Sequence, residues 1–214
     1  MNRSPVLPGL LHDLNNIFQT LVDAADLLSE DPRWQAVSAA ILRSVERGRR
    51  VSQSLEANPG PTVPFQIILD NAIAFVDDDM LFTRGPAIRF DCNVGQEIEL
   101  AGSWAWERVL INLFLNAMRA MPQGGLIQVE ASRSSFETSI VIRDSGCGIA
   151  AGVLEHLFEP AVSTKPGGGL GLHVVKSIVQ HNGGSVHAVN RTDGPGAEFT
   201  ITLPASAGTR PAHA

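Results

Sequence analysis

The stretch LFEPAVSTKPGGGLGL, residues 157–172, decides the fold, and it follows a DSGCGI motif at residues 144–149. Glycines this frequent cannot form a hydrophobic core, but they let backbone N–H groups approach an anionic ligand. Three of them directly precede an apolar helical pattern whose amino-terminal N–H groups can face a polyphosphate; they are Gly167, Gly169 and Gly171. Lys165 adds a positive charge. The stretch predicts a phosphate-binding lid, with a flexible surface loop as the simpler alternative.

The composition is that of an ordinary globular protein. The chain has 214 residues, 44% of them hydrophobic, and a formal net charge of −6. An acidic chain is not a general binder of nucleic acid or membrane surfaces, because both need a basic surface. No apolar run reaches the about 18 residues of a membrane span, and the amino terminus lacks a signal-peptide pattern. We therefore expect a cytoplasmic protein with no nucleic-acid partner and no membrane span.

A linker divides the chain into two parts. Residues 58–64, NPGPTVP, contain three prolines and a glycine, which do not continue a helix. We predict a helical unit at residues 1–57, a second domain at residues 65–204 and a disordered tail at residues 205–214.

The first part reads as a helical hairpin. Apolar residues recur at alternating steps of four and three, which is typical of packed helices; in the first helix they are Leu7, Leu11, Leu14, Phe18, Leu21, Ala25 and Leu28. The second helix repeats this spacing with Trp34, Val37, Ile41, Ser44, Gly48, Val51 and Leu55. Asp31 and Pro32 are expected to cap and start this second helix. Two helices cannot enclose a core alone, so the pattern predicts a homodimeric, antiparallel four-helix bundle.

The second part alternates helical and strand patterns. Helices are predicted at residues 65–80, 103–121 and 170–181. Strands are predicted at residues 87–93, 97–101, 126–133, 138–144, 185–190 and 198–203, with 126–133 and 138–144 as antiparallel neighbours. This order indicates a mixed sheet covered by helices on one face. The whole chain is thus predicted to be α+β: a dimerising helical hairpin followed by an α/β sandwich.

Polar side chains interrupt the apolar pattern of the helix at residues 103–121. Asn112 and Asn116 share a helical face with Arg119 nearby. An amide oxygen is a suitable ligand for Mg2+ that carries phosphate oxygens, and a guanidinium can bind phosphate. The alternative is that both asparagines bond backbone or water at the helix surface. Glu107 on the same helix is expected to be a surface charge.

The DSGCGI motif places a carboxylate at the end of a strand. Gly146 and Gly148 allow a tight turn with close ligand approach. A buried Asp144 there could accept a hydrogen bond from the adenine amino group, where guanine presents a carbonyl. Taken alone, the motif is only a turn, and Cys147 within it is most simply a small filler residue.

In their order these motifs resemble the sensor histidine kinase catalytic domain. NLFLNAMRAMPQGG (112–125), DSGCGI, LFEPAVSTKP and GGGLGL are similar to its N, G1, F and G2 boxes, and the resemblance covers essentially residues 63–204. It implies the Bergerat ATP-binding fold, with ATP and Mg2+ as cofactors. Asn116 is then the Mg2+ ligand, Asn112 and Arg119 lie near the triphosphate, and Asp144 binds adenine. The pocket and lid are implied to comprise Gly146, Gly148, Lys165, Gly167, Gly169, Gly171 and Leu172.

The resemblance extends to the hairpin. LLHDLNNIFQTL, residues 10–21, resembles the H-box of HDxNN-type histidine kinases. This implies that His12 is the phosphoacceptor, that Asp13 orients its ring or accepts its proton, and that Asn16 orients water in a phosphatase reaction. The implied partners are a second copy of the chain, a response regulator receiver domain and a separate sensor protein.

Two other functions stay open. One is a histidine phosphotransferase of kinase-like fold that relays phosphoryl groups between response regulators without using ATP. The other is a nucleotide-gated binding module that changes shape without forming phosphohistidine. The lid has one residue fewer between Lys165 and the GLGL sequence than is common in the family. A tighter lid would favour the phosphotransferase.

The predicted bundle can be tested by its mass. We expect multi-angle light scattering at micromolar concentration to give twice the 22.8 kDa of one chain, because each apolar hairpin face needs a partner. The mass of a single chain would contradict the dimer.

Overall fold

A computed structural model describes residues 6–53, 61–83, 87–95, 97–159 and 171–205. The chain divides into two compact units, Met1–Asn58 and Pro59–Ala214. Of the predicted linker and tail, residues 58–60 and 206–214 lie outside the described residues.

The amino-terminal unit is a pair of packed helices, as predicted. Helix α1 spans Val6–Ser29 and helix α2 spans Gln35–Gln53. Ala25 and Val45 are buried between them, and the Phe18 ring lies directly against Gly48. A Cβ atom on Gly48 would overlap that ring, so the absence of a side chain lets the helices approach.

Two predictions for the hairpin were wrong in detail. Asp31 does not cap α2, because its Oδ1 accepts the N–H of Arg33 at 3.0 Å and its carboxylate pairs with the Arg33 guanidinium at 2.6 Å; α2 begins only at Gln35. The apolar row predicted for α2 faces α1 only in part. Gly48 lies against Phe18, whereas Trp34 and Val37 at the start of the row are 49% and 43% exposed. Ser38, next to Val37, is buried instead.

Within its described residues, the second unit contains two sheets and four helices. Its elements are β1 (Thr62–Pro64), α3 (Phe65–Thr83), β2 (Ile88–Val94), β3 (Glu99–Ala101), α4 (Ser103–Ala120), β4 (Gly125–Arg133), β5 (Glu137–Asp144), α5 (Ala151–Leu154), α6 (Gly171–His181), β6 (Ser185–Asn190) and β7 (Ala197–Pro204). The main sheet has the order β2-β4-β5-β7-β6, in which only β2 and β4 are parallel. The predicted mixed sheet and the antiparallel β4–β5 pair are confirmed. Strand β1, which pairs with β3, lies within the stretch predicted to be a linker, and neither it nor α5 was expected.

The sheet presents one face to the helices. Along β5, alternate residues are buried, namely Thr138, Ile140, Ile142 and Asp144. They meet one continuous hydrophobic core that includes residues of α3, α4 and α6. On the opposite face, Arg143 forms ion pairs with Glu198 at 2.6 Å and Glu130 at 2.9 Å. The predicted sandwich, with helices on one face, is therefore confirmed, and strand periodicity carries Asp144 inward with the core.

Phe114 gives a direct test of this core. It is fully buried on α4, and its ring meets that of Phe90 edge-on at a centroid distance of 5.1 Å. We expect Phe114→Ala to lower the free energy of unfolding by about 3–5 kcal/mol through lost burial and the cavity left behind. Urea denaturation followed by circular dichroism measures this change.

Phe136→Ala is the matched control, because Phe136 is 86% exposed. It should change the free energy of unfolding by no more than about 0.5 kcal/mol. Equal effects of the two substitutions would contradict this packing.

Candidate functional site

The site is built around the carboxylate of Asp144, the last residue of β5. The side chain is only 4% exposed. Its Oδ1 accepts hydrogen bonds from the backbone N–H groups of Gly146 at 2.8 Å and Ala197 at 3.3 Å. Within the described residues no hydrogen bond engages Oδ2. The carboxylate is therefore held in place through one oxygen and has acceptor capacity left on the other.

Burial also changes the acidity of this group. It raises the pKa of the Asp144 carboxyl above its ordinary value of 3.8, because a low-dielectric environment disfavours the charged form. The N–H groups of Gly146 and Ala197 and the positive charge of Arg191 oppose the rise. A raised pKa in a geometrically fixed carboxyl is typical of functional sites.

The turn after Asp144 leaves no room for side chains at its glycines. A Cβ on Gly146 would lie 2.7 Å from the Ala120 Cβ at the end of α4. Gly148 has a positive φ of 75°, and a Cβ there would lie 2.8 Å from the Asn190 Oδ1. Cys147 between them is exposed, while its N–H donates to the Ala120 carbonyl at 3.2 Å. Close packing and backbone conformation thus both require glycine in this motif.

Sequence reasoning missed a second contributor to the site, the loop between β6 and β7. Gly196 has a φ of 120°, and a Cβ on it would overlap the Asp144 carbonyl oxygen. Arg191 donates from Nη1 to the same carbonyl oxygen at 3.3 Å. The glycine before the strand pattern AEFTITLP was the available signal. Its contact partner lies about fifty residues away along the chain and is not visible in the sequence.

The two predicted amides lie on α4 and face different neighbours. Asn112 donates from Nδ2 to the Arg108 carbonyl at 2.7 Å, and a Cβ on Gly171 would lie 2.7 Å from its Oδ1. This contact brings the start of α6 against α4. One turn further along, Asn116 Oδ1 accepts a hydrogen bond from Arg119 Nη1 at 3.2 Å. The amide and the guanidinium thus share a face, as the spacing predicts.

Leu172, the next residue of α6, is half-buried against the hydrophobic core. It therefore anchors the first turn of the helix beside Asn112.

Glu107 is not the surface charge that was expected. It is 4% exposed, and its Oε1 accepts a hydrogen bond from Asn71 Nδ2 at 2.9 Å. The prediction was wrong because α3 packs beside α4 and covers that side of the helix. Helical periodicity alone does not show which neighbour covers a polar position.

Other predicted residues are only partly accessible to description. Lys165, Gly167 and Gly169 lie outside the described residues. His12 and Asp13 lie within α1, but their side chains are also outside the described part. Asn16 is exposed on α1, and its backbone carbonyl accepts the Thr20 hydroxyl at 3.0 Å.

Comparisons with known proteins show what the chain is similar to. Residues 104–207 match the family of histidine kinase-, DNA gyrase B-, and HSP90-like ATPases. The sensor histidine kinase ZraS of Escherichia coli O157:H7 is 32% identical over 207 residues, covering 92% of this chain and 45% of the relative. These matches support a histidine kinase with an ATPase domain of this family. They confirm the resemblance in the motifs, while the chain spans less than half the length of this curated relative.

Solved structures of the family share the fold. The mycobacterial sensor histidine kinase MprB aligns with a TM-score of 0.59 at 27% identity, covering 68% of this chain and 97% of that one. Full-length ShkA in complex with AMPPNP aligns with a TM-score of 0.66 at 22% identity, covering 92% of this chain and 45% of that one. Among the helices that the structure describes, none has the length and apolar character needed to cross a membrane.

The raised pKa of Asp144 predicts a pH dependence of stability. The folded state holds the proton of this carboxyl more tightly than the unfolded chain does. Its contribution to the free energy of unfolding is therefore greatest below the ordinary pKa and is lost as pH rises through the folded pKa. We expect the difference in that free energy, wild type minus Asp144→Asn, to fall with rising pH and then level off. Urea titrations at about pH 4 to 8 measure it.

Asp193→Asn is the control for this measurement. The Arg191 hydrogen bond lowers the pKa of Asp193 below 3.8, so its contribution to the free energy of unfolding is kept above the ordinary pKa and lost as pH falls. This variant should show no decline over that range, and a flat profile for Asp144→Asn as well would contradict the assignment.

Proposed function

We propose that the chain is the core of an ATP-dependent protein histidine kinase, in which Asp144 recognises adenine. The observation that carries this proposal is the buried carboxylate whose Oδ1 is held by two backbone N–H groups while Oδ2 is engaged by no described residue. A free acceptor at a buried position is satisfied by a donor from water or from a ligand. The adenine amino group supplies one, whereas guanine has a carbonyl at that place. A protein of the same fold, full-length ShkA, was solved in complex with AMPPNP, which is in keeping with a nucleotide ligand.

The triphosphate and Mg2+ fit the adjoining face of α4. Amide oxygens of Asn112 and Asn116 and the Arg119 guanidinium lie within two helical turns, and Gly171 places the first turn of α6 beside Asn112. Amide oxygens suit a hard cation that keeps water and phosphate ligands. The described residues contain no group of three or more His, Cys, Asp or Glu side chains that could hold a metal ion by themselves. Asn116 is the proposed metal ligand, and bound Mg2+ would neutralise phosphate charge.

The glycine-rich stretch completes the proposed nucleotide site. Its backbone N–H groups at Gly167 and Gly169, together with Lys165, are proposed to face the phosphates as a lid. Phosphoryl transfer needs little covalent chemistry from the protein, so positioning and charge stabilisation supply most of the catalysis.

The proposed reaction transfers the γ-phosphoryl group to His12. The bond between the γ-phosphorus and the bridging oxygen breaks, a bond from phosphorus to an imidazole nitrogen forms, and ADP leaves. Asp13 accepts the proton that the ring nitrogen loses. A receiver-domain aspartate then takes the phosphoryl group and restores His12. Asn16 is proposed to orient the water that hydrolyses the phosphorylated receiver aspartate in the phosphatase reaction.

The hairpin is the proposed dimerisation and phosphotransfer unit, and residues 65–204 are the proposed ATP-binding domain. Large apolar side chains stand exposed on the hairpin, which supports a second copy as their partner; they are Ile17, Leu21, Leu27, Trp34, Val37 and Leu42. A separate sensor protein as the source of the signal is part of this proposal.

Radiolabelling tests the reaction. The chain is incubated with γ-labelled ATP and Mg2+, and the protein-bound label is tested for the acid lability of phosphohistidine. We expect His12→Ala to reduce incorporation to background while ATP affinity is unchanged, because only the acceptor is removed. His181→Ala, at an exposed position on α6, is the matched control and should keep the label. Label that survives in His12→Ala would overturn the assignment.

Asn16→Ala separates kinase from phosphatase activity. This variant should incorporate label from ATP but lose dephosphorylation of a labelled receiver domain. A wild-type chain that takes no label from ATP, but accepts it from a phosphorylated receiver, would instead be the ATP-independent phosphotransferase. Nucleotide binding with no phosphohistidine by either route would indicate the nucleotide-gated module.

A further inference from the structure

The side chain of Asn190, the last residue of β6, clamps the far end of the DSGCGI turn. Its Oδ1 accepts the N–H of Ile149 at 2.7 Å, and its Nδ2 donates to the carbonyl of the same residue at 2.8 Å. The amide thus pairs with Ile149 as a backbone peptide group would in a sheet. Asn190 itself is exposed, so it contributes little hydrophobic burial.

The other half of the turn is held in a different way. Ser145 exchanges hydrogen bonds with the Leu126 backbone, and the Cys147 N–H donates to Ala120. Within the described residues, the Ile149 backbone donates to and accepts from Asn190 alone. The end of the turn therefore depends on one side chain from a strand at the edge of the sheet.

Strand register links this clamp to the carboxylate. Asn190 pairs directly with Ala197 across β6 and β7, and the Ala197 N–H donates to Asp144 Oδ1 at 3.3 Å. One cross-strand pair thus holds the turn at both ends, Asp144 through a backbone donor and Ile149 through a side chain.

The loop that joins these strands strengthens the connection. The Arg191 N–H donates to the Gly196 carbonyl at 3.0 Å, and its Nη1 reaches the Asp144 carbonyl at 3.3 Å. The Arg191 guanidinium is itself held by Asp193 at 2.9 Å. A displacement of the end of β6 would therefore also move the groups that hydrogen-bond to Asp144.

We propose that Asn190 is a positioning residue that sets the conformation of the DSGCGI turn. Through the turn it sets the orientation of the Asp144 carboxylate toward adenine. The adenine part rests on the proposed function, whereas the clamp does not. Asparagine suits the role because it supplies one donor and one acceptor in a fixed geometry. Aspartate has the same shape but no donor at neutral pH, and it would bring a carboxylate against the Ile149 carbonyl.

The test compares nucleotide preference in the full chain. Dissociation constants for fluorescent ATP and GTP analogues are measured for wild type, Asn190→Ala and Asn190→Asp. Loss of two hydrogen bonds should weaken ATP binding about tenfold in Asn190→Ala. GTP binding should hardly change, so the ratio of the GTP to the ATP dissociation constant should fall by the same factor. Asn190→Asp should also weaken ATP binding, although it keeps the acceptor.

Asn182→Ala is the matched control. Its Nδ2 donates to the Ile178 carbonyl at 2.8 Å at the end of α6, away from the turn. This variant should leave the ATP preference unchanged even where it lowers the thermal midpoint. A general loss of stability would weaken the binding of both nucleotides in every variant. Loss of the clamp would change the ratio of the two dissociation constants in the Asn190 variants alone.

Hydrogen exchange separates this inference from the proposed function. Without nucleotide, the Ile149 amide should exchange about tenfold faster in Asn190→Ala than in wild type, because its acceptor is gone. A wild-type chain that binds no ATP would overturn the proposed function, yet faster exchange would still support the clamp. Unchanged Ile149 exchange, or an unchanged ATP preference in a chain that binds ATP, would overturn the positioning role.

Discussion

The burial of one carboxylate constrains the rest of this site. Asp144 lies on the inward face of β5 together with Ile140 and Ile142, at a position where an apolar residue would normally pack. A buried charged group must find donors, and those here are backbone N–H groups rather than a basic side chain. Because these backbone donors must lie within hydrogen-bonding distance, the turn, β7 and the loop before β7 pack closely around Asp144.

That close approach explains where glycine is needed. A side chain at Gly146, Gly148 or Gly196 would meet Ala120, Asn190 or Asp144, and two of these glycines also have positive φ values. Gly171 serves the same purpose between α4 and α6, where it leaves room for the Asn112 amide. Gly146 and Gly148 therefore let the turn approach α4 and β6, and Gly196 lets the loop before β7 approach Asp144.

The sequence predicted the order of the elements well and their contacts less well. Strand alternation and helical periodicity located the main helices and strands to within a few residues, because burial of one face imposes those periods. The errors occurred at residues whose burial or hydrogen bonding is set by another residue or helix packed beside them. Asp31 binds Arg33 rather than capping α2, Glu107 is covered by α3, and Ser38 is buried on α2 while Trp34 and Val37 are exposed.

By itself, the sequence determined the family, the layered architecture and the candidate site residues, because periodicity and motif order are written locally along the chain. Only the tertiary structure showed that no described residue bonds the second carboxylate oxygen of Asp144, and that Asn190, Arg191 and Gly196 hold its turn. Those residues lie about fifty positions away along the chain and meet the turn through the β5–β7–β6 pairing. Sheet register is a property of paired strands, so no single segment of the sequence contains it.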